Sequence, residues 1–183
     1  MKVQVAENRM RRLILLRHTK SDWPAGLADH DRPLNPRGRR AAALMGELLV
    51  ARGYIPDRVL VSTAKRTEET WALARAGHPE LIAGTPEPWI YEALPRVLDY
   101  LVARMPDSVQ TLLLVGHNPG IEDFALDLAS EGHEAGRRRM SLKYPTGGLA
   151  VIDCAIDHWS DLASGSGRLI DFVVPRDLDR EAE

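Results

Sequence analysis

Two histidines each follow a short apolar run, and this arrangement is the strongest chemical signal in the sequence. Residues 13–16 are followed directly by Arg17 and His18, and residues 112–115 lead through one glycine to His117. Runs of this kind are typical of interior strands of a parallel sheet, so the polar residues are expected at the carboxyl ends of strands, where open α/β sheets bind ligands. A guanidinium beside an imidazole suits an anion, and two such strand ends indicate a phosphoryl site.

The elements that must position these residues alternate between strand and helix. The predicted strands cover about 11–17, 58–62, 89–91 and 111–115, and the predicted helices cover 36–53, 63–74, 94–105 and 121–129. Thr63 and Asn118 are the expected N-caps of two of these helices. Two later strands, at 147–154 and 168–174, are interpreted as edge strands of the same sheet. The alternation predicts an α/β fold, a three-layer sandwich with a mainly parallel central sheet flanked by helices.

Length and composition indicate a single domain. The 183 residues are 44% hydrophobic and 27% charged, which is ordinary for a soluble globular protein. We expect one domain over residues 11–175, an N-terminal arm over 1–10 and a frayed, charged C-terminal tail over 176–183.

Charge, cysteine content and hydropathy limit the classes of partner and the cellular compartment that we expect for this protein. The apolar stretches are too short to cross a membrane, and the N-terminus lacks the apolar core of a signal peptide. The single cysteine, Cys154, excludes an intrachain disulfide framework, so a cytoplasmic location is expected. A net charge of −2 argues against nucleic acid as a partner. Oligomeric state is left open.

Three arginines are the candidate ligands of a phosphate group. A planar guanidinium can donate two parallel hydrogen bonds to phosphate oxygens, which a lysine cannot do. Arg17 and Arg66 follow predicted strands, and Arg32 lies in a loop that can fold over the same edge of the sheet. Ser62, at the end of the second strand, is a further candidate contact.

The histidines have separate expected roles. An imidazole attacks phosphorus only when one nitrogen is unprotonated, which requires an acceptor such as a backbone carbonyl to hold the proton of the other nitrogen. His18, beside Arg17, is the candidate nucleophile. His117 is expected to act as a protonated donor to the transferring oxygens, with Asn118 beside it at the start of a helix. Because cations already surround the phosphate, no metal and no cofactor is expected.

Four motifs, in order, resemble those of the histidine phosphatase superfamily and within it the short SixA-like phosphohistidine phosphatases. They are LLRHT at 15–19, DRPLNPRG at 31–38, VSTAKRTEET at 61–70 and VGHNPG at 115–120. The resemblance covers about residues 11–155 and implies a phosphoglycerate mutase-like fold. It also implies a transient phosphoryl group on His18, a pocket formed by the three arginines, and His117 completing that pocket. Thr19 departs from the glycine usual in the family.

The resemblance leaves the proton donor open. Larger family members carry a carboxylic acid on an inserted segment for which this chain has little room, and Glu92 is the nearest candidate. Imidazole is a much better leaving group than an alkoxide, which needs a proton in the transition state. A site without a strong acid therefore favours a phosphorylated histidine on a protein over a small phosphorylated substrate.

Several alternatives remain open at the level of sequence. The chain could be a broader small-molecule phosphatase, whereas a mutase is disfavoured because it needs a substantial lid. A phosphate-binding module without turnover could dock a phosphoprotein on the basic segment Arg137–Lys143, although charge runs are usually solvated surface. A metal hydrolase would use His18 and His117 as ligands, but the sequence lacks an HExxH spacing.

Overall fold

The computed structural model describes residues 10–181, and in that range a mixed seven-stranded sheet forms the centre of the molecule. The strands, in chain order, are β1 Met10–Arg17, β2 Arg58–Val61, β3 Thr85–Pro86, β4 Thr111–Gly116, β5 Ala129–Gly132, β6 Leu149–Ala155 and β7 Gly167–Val173. The helices are α1 Pro36–Ala51, α2 Lys65–Ala74, α3 Pro95–Ala103, α4 Gly120–Leu128, α5 Glu134–Leu142 and α6 Pro175–Glu181. Most of the alternation of strand and helix expected from the sequence is present.

The sheet order is β3-β2-β4-β1-β6-β7-β5. The β3-β2, β2-β4, β4-β1 and β7-β5 pairs are parallel, whereas β6 runs antiparallel to both β1 and β7. The sheet is therefore mainly parallel, and the predicted α/β sandwich is confirmed. No helix in the described range is long and apolar enough to cross a bilayer.

Each central strand buries side chains on both faces, as its continuous apolar run predicts. Leu13 and Leu15 of β1 belong to one hydrophobic cluster, with Trp159 and Phe124, whereas Ile14 and Leu16 belong to the cluster on the opposite face. All four β1 side chains are fully buried. Helices cover both faces, and the strand ends are the points at which polar side chains can leave the core.

Two boundaries near the site differ from the sequence-based predictions. Residues 88–90 form a 3₁₀ turn rather than a strand, because Pro88 has no N–H and Glu87 accepts a hydrogen bond from the Trp89 backbone at 3.1 Å. The third strand lies earlier, at Thr85–Pro86. The predicted caps are also wrong, since Thr63 precedes an uncapped Ala64 at α2 and α4 begins after Pro119.

The C-terminal part of the fold differs more strongly from the sequence-based prediction. β6 and β7 are interior strands, because β5 pairs with β7 and forms the edge of the sheet where the sequence predicts the end of a helix. Residues 129–132, ASEG, have weak intrinsic strand preference, so this pairing depends on tertiary contacts. Helix α5 was not predicted. The expected frayed tail is helical in α6, where Asp177 accepts a hydrogen bond from Arg139 at 2.7 Å. The N-terminal arm over 1–10 lies almost wholly outside the described residues.

Candidate active site

The two histidines meet because their strands are neighbours in the sheet. Arg17 at the end of β1 pairs with Gly116 at the end of β4, and the backbone N–H of His18 donates to the Gly116 carbonyl at 3.0 Å. The ring centroids of His18 and His117 lie 5.2 Å apart. Both side chains are 7% exposed, so one small group can contact both rings from the solvent side.

His18 is held in a single tautomer by its own loop. Its Nδ1 lies 2.7 Å from the Thr19 carbonyl oxygen, which can only accept, so Nδ1 carries the proton and Nε2 is left with a free lone pair. Burial, followed by the charges of Arg66, Arg17 and Arg32, lowers the pKa of His18 to about 3. The imidazole is therefore neutral near pH 7, which is the form that can act as a nucleophile.

Thr19 contacts Thr70 of α2 through both its backbone and its side chain. Its backbone N–H donates to Thr70 Oγ1 at 3.1 Å, and its own hydroxyl lies 3.2 Å from the same oxygen. The Thr19 side chain is fully buried. It therefore anchors the loop of His18 to α2.

His117 contacts two side chains at the ends of neighbouring elements. Its Nε2 lies 2.7 Å from Ser62 Oγ, and its ring meets the ring of Tyr91 edge to face at 5.5 Å. Burial, then the charges of His18 and Arg66, lower the pKa of His117 to about 3. Desolvation and nearby cations both oppose the charged form, so His117 is neutral near pH 7 in this arrangement, and its role as a protonated donor to a bound phosphoryl group stays a prediction.

Arg17 and Asn118 share one backbone acceptor. Arg17 Nη1 donates to the Tyr144 carbonyl at 2.7 Å, and Asn118 Nδ2 donates to the same oxygen at 3.0 Å. Asn118 also donates to Glu122 at 2.6 Å, so it holds the start of α4 by a side-chain contact rather than as an N-cap. Arg17 Nε and Asn118 Oδ1 are buried without a hydrogen-bond partner in the described structure. Burial lowers the pKa of Arg17.

Arg32 and Arg66 are held by one carboxylate that the sequence reasoning did not place in the site. Asp29 Oδ1 accepts from Arg32 Nη1 at 2.7 Å, and Oδ2 accepts from Arg66 Nη2 at 2.9 Å. The Asp29 backbone carbonyl accepts a further bond from Arg66 Nη1 at 2.6 Å. Asp29 therefore contributes to the direction of both guanidinium groups, and Arg32 also donates to the Asp22 carbonyl and to Ser21. The spacing Asp29-x-x-Arg32 is the available sequence signal, and it is equally consistent with a simple surface ion pair.

Tyr91 is a second residue that the sequence reasoning missed. Its hydroxyl donates to Asp29 Oδ2 at 2.8 Å, and its ring also contacts His117. Burial by itself raises the pKa of Asp29, but hydrogen bonds from Arg32 and Tyr91 and the charge of Arg66 hold it well below its usual range. Asp29 is therefore ionised at neutral pH.

Glu92, the candidate acid, has an exposed side chain and a left-handed backbone with φ of 52°. The hydrogen bonds and ring contacts described for the two histidines go to other residues. The exposed ring of Trp23 lies against Arg32, with the guanidinium carbon 3.1 Å from the ring centroid. In the described residues no group of three or more His, Cys, Asp or Glu side chains has the arrangement of a metal site.

Comparison with known proteins places this geometry in a family. Residues 13–87 match the model of the histidine phosphatase superfamily (branch 1). An uncharacterized protein of Mycobacterium tuberculosis is 43% identical over 163 residues, which span 88% of this chain and 100% of that protein.

Solved structures agree with the sequence relatives. A candidate phosphohistidine phosphatase SixA from Nakamurella multipartitia superposes with a TM-score of 0.77 at 29% identity, over 91% of this chain and 96% of that one. A candidate SixA from Agrobacterium tumefaciens gives a TM-score of 0.73 at 32% identity, over 90% of this chain and 99% of that one. The chain therefore belongs to the histidine phosphatase superfamily, and its activity is that of a phosphatase.

Proposed function

We propose that the protein hydrolyses phosphohistidine on a protein substrate through a phosphoryl group carried transiently on its own His18. The observation that carries this proposal is the hydrogen bond from His18 Nδ1 to the Thr19 carbonyl at 2.7 Å, which leaves Nε2 as the nucleophile. The similarity to two candidate phosphohistidine phosphatases supports the substrate class.

In the first step, the Nε2 lone pair of His18 forms a bond to phosphorus while the bond from phosphorus to the substrate imidazole breaks. The three guanidinium groups of Arg17, Arg32 and Arg66 balance the charge of the phosphoryl oxygens. In the second step, water attacks phosphorus, the bond to Nε2 breaks and inorganic phosphate leaves. One proton of the water remains on the phosphate, and the other is released to solvent, so the imidazole returns to its starting form.

His117 and Ser62 are assigned to the oxygens of the transferring group. A phosphoryl dianion beside His117 favours the imidazolium and raises its pKa, so His117 gains a proton as the substrate binds and then donates a charged hydrogen bond. The hydroxyl of Ser62, 2.7 Å from Nε2, is placed to orient this ring. Asn118 holds the Tyr144 carbonyl that also positions Arg17.

The leaving group explains the choice of substrate. Asp29 is ionised by its arginine partners and cannot donate a proton near pH 7, and Glu92 is exposed to water at the mouth. An alkoxide needs a proton in the transition state, whereas an imidazole that already carries a proton on its other nitrogen leaves as a neutral molecule. The site therefore favours a phosphorus–nitrogen bond over a simple phosphate ester.

Trapping tests the proposal. The protein is mixed with a ³²P-labelled phosphohistidine peptide, quenched in alkali and digested, and the labelled residue is located. We expect base-stable, acid-labile label on His18, and a His18→Gln variant that loses about 10³-fold or more of the turnover rate.

His133→Gln, a change at an exposed histidine, is the matched control and should retain wild-type turnover. Chelators should leave the rate unchanged. Hydrolysis of a simple alkyl phosphate as fast as the phosphohistidine peptide would contradict the assigned substrate class. Normal turnover by His18→Gln would contradict the mechanism.

A further inference from the structure

A cavity lined by cationic side chains lies beside the candidate active site. It has a volume of about 530 Å³, and we call it the basic pocket. Its six cationic lining residues are Arg17, Lys20, Arg37, Arg139, Lys143 and Arg176. Among the described residues that line it, Asp177 is the one acid. Because the whole chain has a net charge of −2, this local excess of positive charge is a feature of the fold and not of the composition.

The basic pocket is continuous with the candidate active site through Arg17. The backbone N–H of Gly147 lies within hydrogen-bonding distance of the carbonyl oxygens of Arg17 and His18, at 3.1 and 3.0 Å. A Cβ added at Gly147 would lie 3.3 Å from the Thr19 methyl group and 2.5 Å from Pro175 at the start of α6. The wall of the pocket therefore packs directly against the loop that carries His18.

The cations of the pocket come from separate parts of the chain. Lys20 follows β1, Arg37 lies in the first turn of α1, Lys143 follows α5 and Arg176 lies in the first turn of α6. Like charges at close range repel one another, and Asp177, which accepts a hydrogen bond from Arg139 at 2.7 Å, neutralises only part of the excess. An added polyanion would therefore be attracted to this surface.

The exposure and the separation of these cations indicate which kind of anion would bind. Lys20, Arg37, Arg139, Lys143 and Arg176 are all exposed, so their charged ends are hydrated and spread over the wall. This differs from Arg32 and Arg66, which are buried and share one carboxylate, that of Asp29. Separated, exposed cations suit several carboxylates carried along a peptide better than one compact phosphate.

We propose that the basic pocket binds acidic side chains that flank the phosphohistidine on the substrate protein. The inference rests on the proposed function, because it assigns the neighbouring part of the same substrate. Arg17 contributes to both sites, so the phosphoryl group and its acidic flank bind together. Binding through exposed charges is screened by salt, so the preference for acidic substrates decreases as ionic strength increases.

Two phosphohistidine peptides of equal length test this inference, one with Asp and Glu on both sides of the phosphohistidine and one with Asn and Gln. The variant is Lys143→Glu/Arg176→Glu. Each exposed ion pair changes affinity by about 1.4- to 5-fold, so reversal of two charges should raise KM for the acidic peptide roughly tenfold or more. We expect kcat to stay unchanged, and KM for the neutral peptide to stay within about twofold of the wild-type value.

The control variant is Arg58→Glu/Arg104→Glu, which makes the same charge change at exposed arginines near the amino ends of β2 and β4. It should leave the ratio of the two KM values as in the wild type. An equal shift of KM for both peptides in the pocket variant, or no shift, overturns the inference. If tripolyphosphate inhibited the pocket variant less than the wild type while the peptide KM values stayed unchanged, the pocket would bind a small polyanion. That result would also overturn the inference.

Binding of the acidic peptide without its phosphoryl group gives a readout that needs no turnover. Fluorescence anisotropy should show salt-sensitive binding to the wild type and roughly tenfold weaker binding to Lys143→Glu/Arg176→Glu. If the wild type hydrolyses neither phosphohistidine peptide but this difference in binding persists, the proposed reaction fails and the pocket assignment stands. Equal binding of this peptide to the wild type and to the variant would contradict the pocket assignment and leave the proposed reaction unaffected.

Discussion

At the scale of single residues, the notable feature is that one carboxylate orients two of the three candidate phosphate ligands. Each oxygen of Asp29 accepts from a different arginine, Arg32 or Arg66, and Tyr91 donates to one of them. A guanidinium that is already directed loses less conformational entropy when it binds a phosphate. We assign Asp29 as a positioning residue, because it acts on the substrate through the arginines.

This assignment predicts the effect of Asp29→Asn. The amide keeps the size of the side chain but removes its charge and one acceptor, so Arg32 and Arg66 lose their shared anchor. We expect kcat/KM to decrease about 10- to 100-fold, since small displacements of positioning groups have effects of this size. The inhibition constant of inorganic phosphate should increase in parallel.

Asp31→Asn is the matched control, because Asp31 is exposed and lies two residues away in the same 3₁₀ turn. It should change kcat/KM by less than about twofold. Unaltered phosphate inhibition in Asp29→Asn would show that the two arginines hold their positions without this carboxylate.

At the scale of elements, close packing of α1 on α2 sets the position of the loops that carry the arginines. Arg32 lies just before α1, and Arg66 lies in the first turn of α2. Gly46 allows the two helices to approach, because an added Cβ would overlap the backbone carbonyl of Ala74. The contact involves backbone on the α2 side, which cannot move aside as a flexible side chain could.

Gly46→Ala should therefore destabilise the protein although alanine is the better helix former. Overpacking against a rigid neighbour outweighs the gain in helix propensity, so we expect the free energy of unfolding to decrease by about 1–3 kcal/mol, measured by urea denaturation. Ala43→Ser, on the exposed face of α1, should change it by less than about 0.5 kcal/mol. An increase in stability for Gly46→Ala would contradict the tight helix contact.

At the scale of the whole molecule, the two buried histidines couple stability to pH. Their pKa values are about 3 in the folded protein, whereas the ordinary value for histidine is 6.5. Between these two pH values the unfolded chain binds more protons than the folded one. The contribution of these two histidines to the free energy of unfolding is therefore fully present above pH 6.5 and decreases as the pH is lowered toward 3.

Because the pKa values of both histidines are lowered, the free energy of unfolding should decrease by roughly 2–4 kcal/mol when the pH is lowered from 7 to 5. Urea unfolding at the two pH values measures the change. The double variant His18→Asn/His117→Asn removes both groups and should show a much smaller dependence over the same range. If the variant shows the same pH dependence of the free energy of unfolding as the wild type, other titrating groups cause that dependence.

Sequence reasoning was most successful where the signal is local. The apolar runs of β1 and β4 predict buried strands, and their order predicts that His18 and His117 share one edge of the sheet. It was wrong at Trp89, where Pro88 and the Glu87 side chain favour a 3₁₀ turn, and at residues 129–132, where pairing with β7 overrides a weak local preference.

The strand pattern and the polar residues that follow each strand could be predicted from the amino-acid sequence, because period and propensity act over a few neighbouring positions. The contacts that hold those polar residues became visible only in the folded protein. The contacts of Asp29 with Arg66 and of Arg17 with the Tyr144 carbonyl join positions 37 and 127 residues apart. Such contacts depend on how loops close over the sheet, and no local pattern records that closure. The same is true of the basic pocket, whose charges come from α1, α5, α6 and the segment that follows β1.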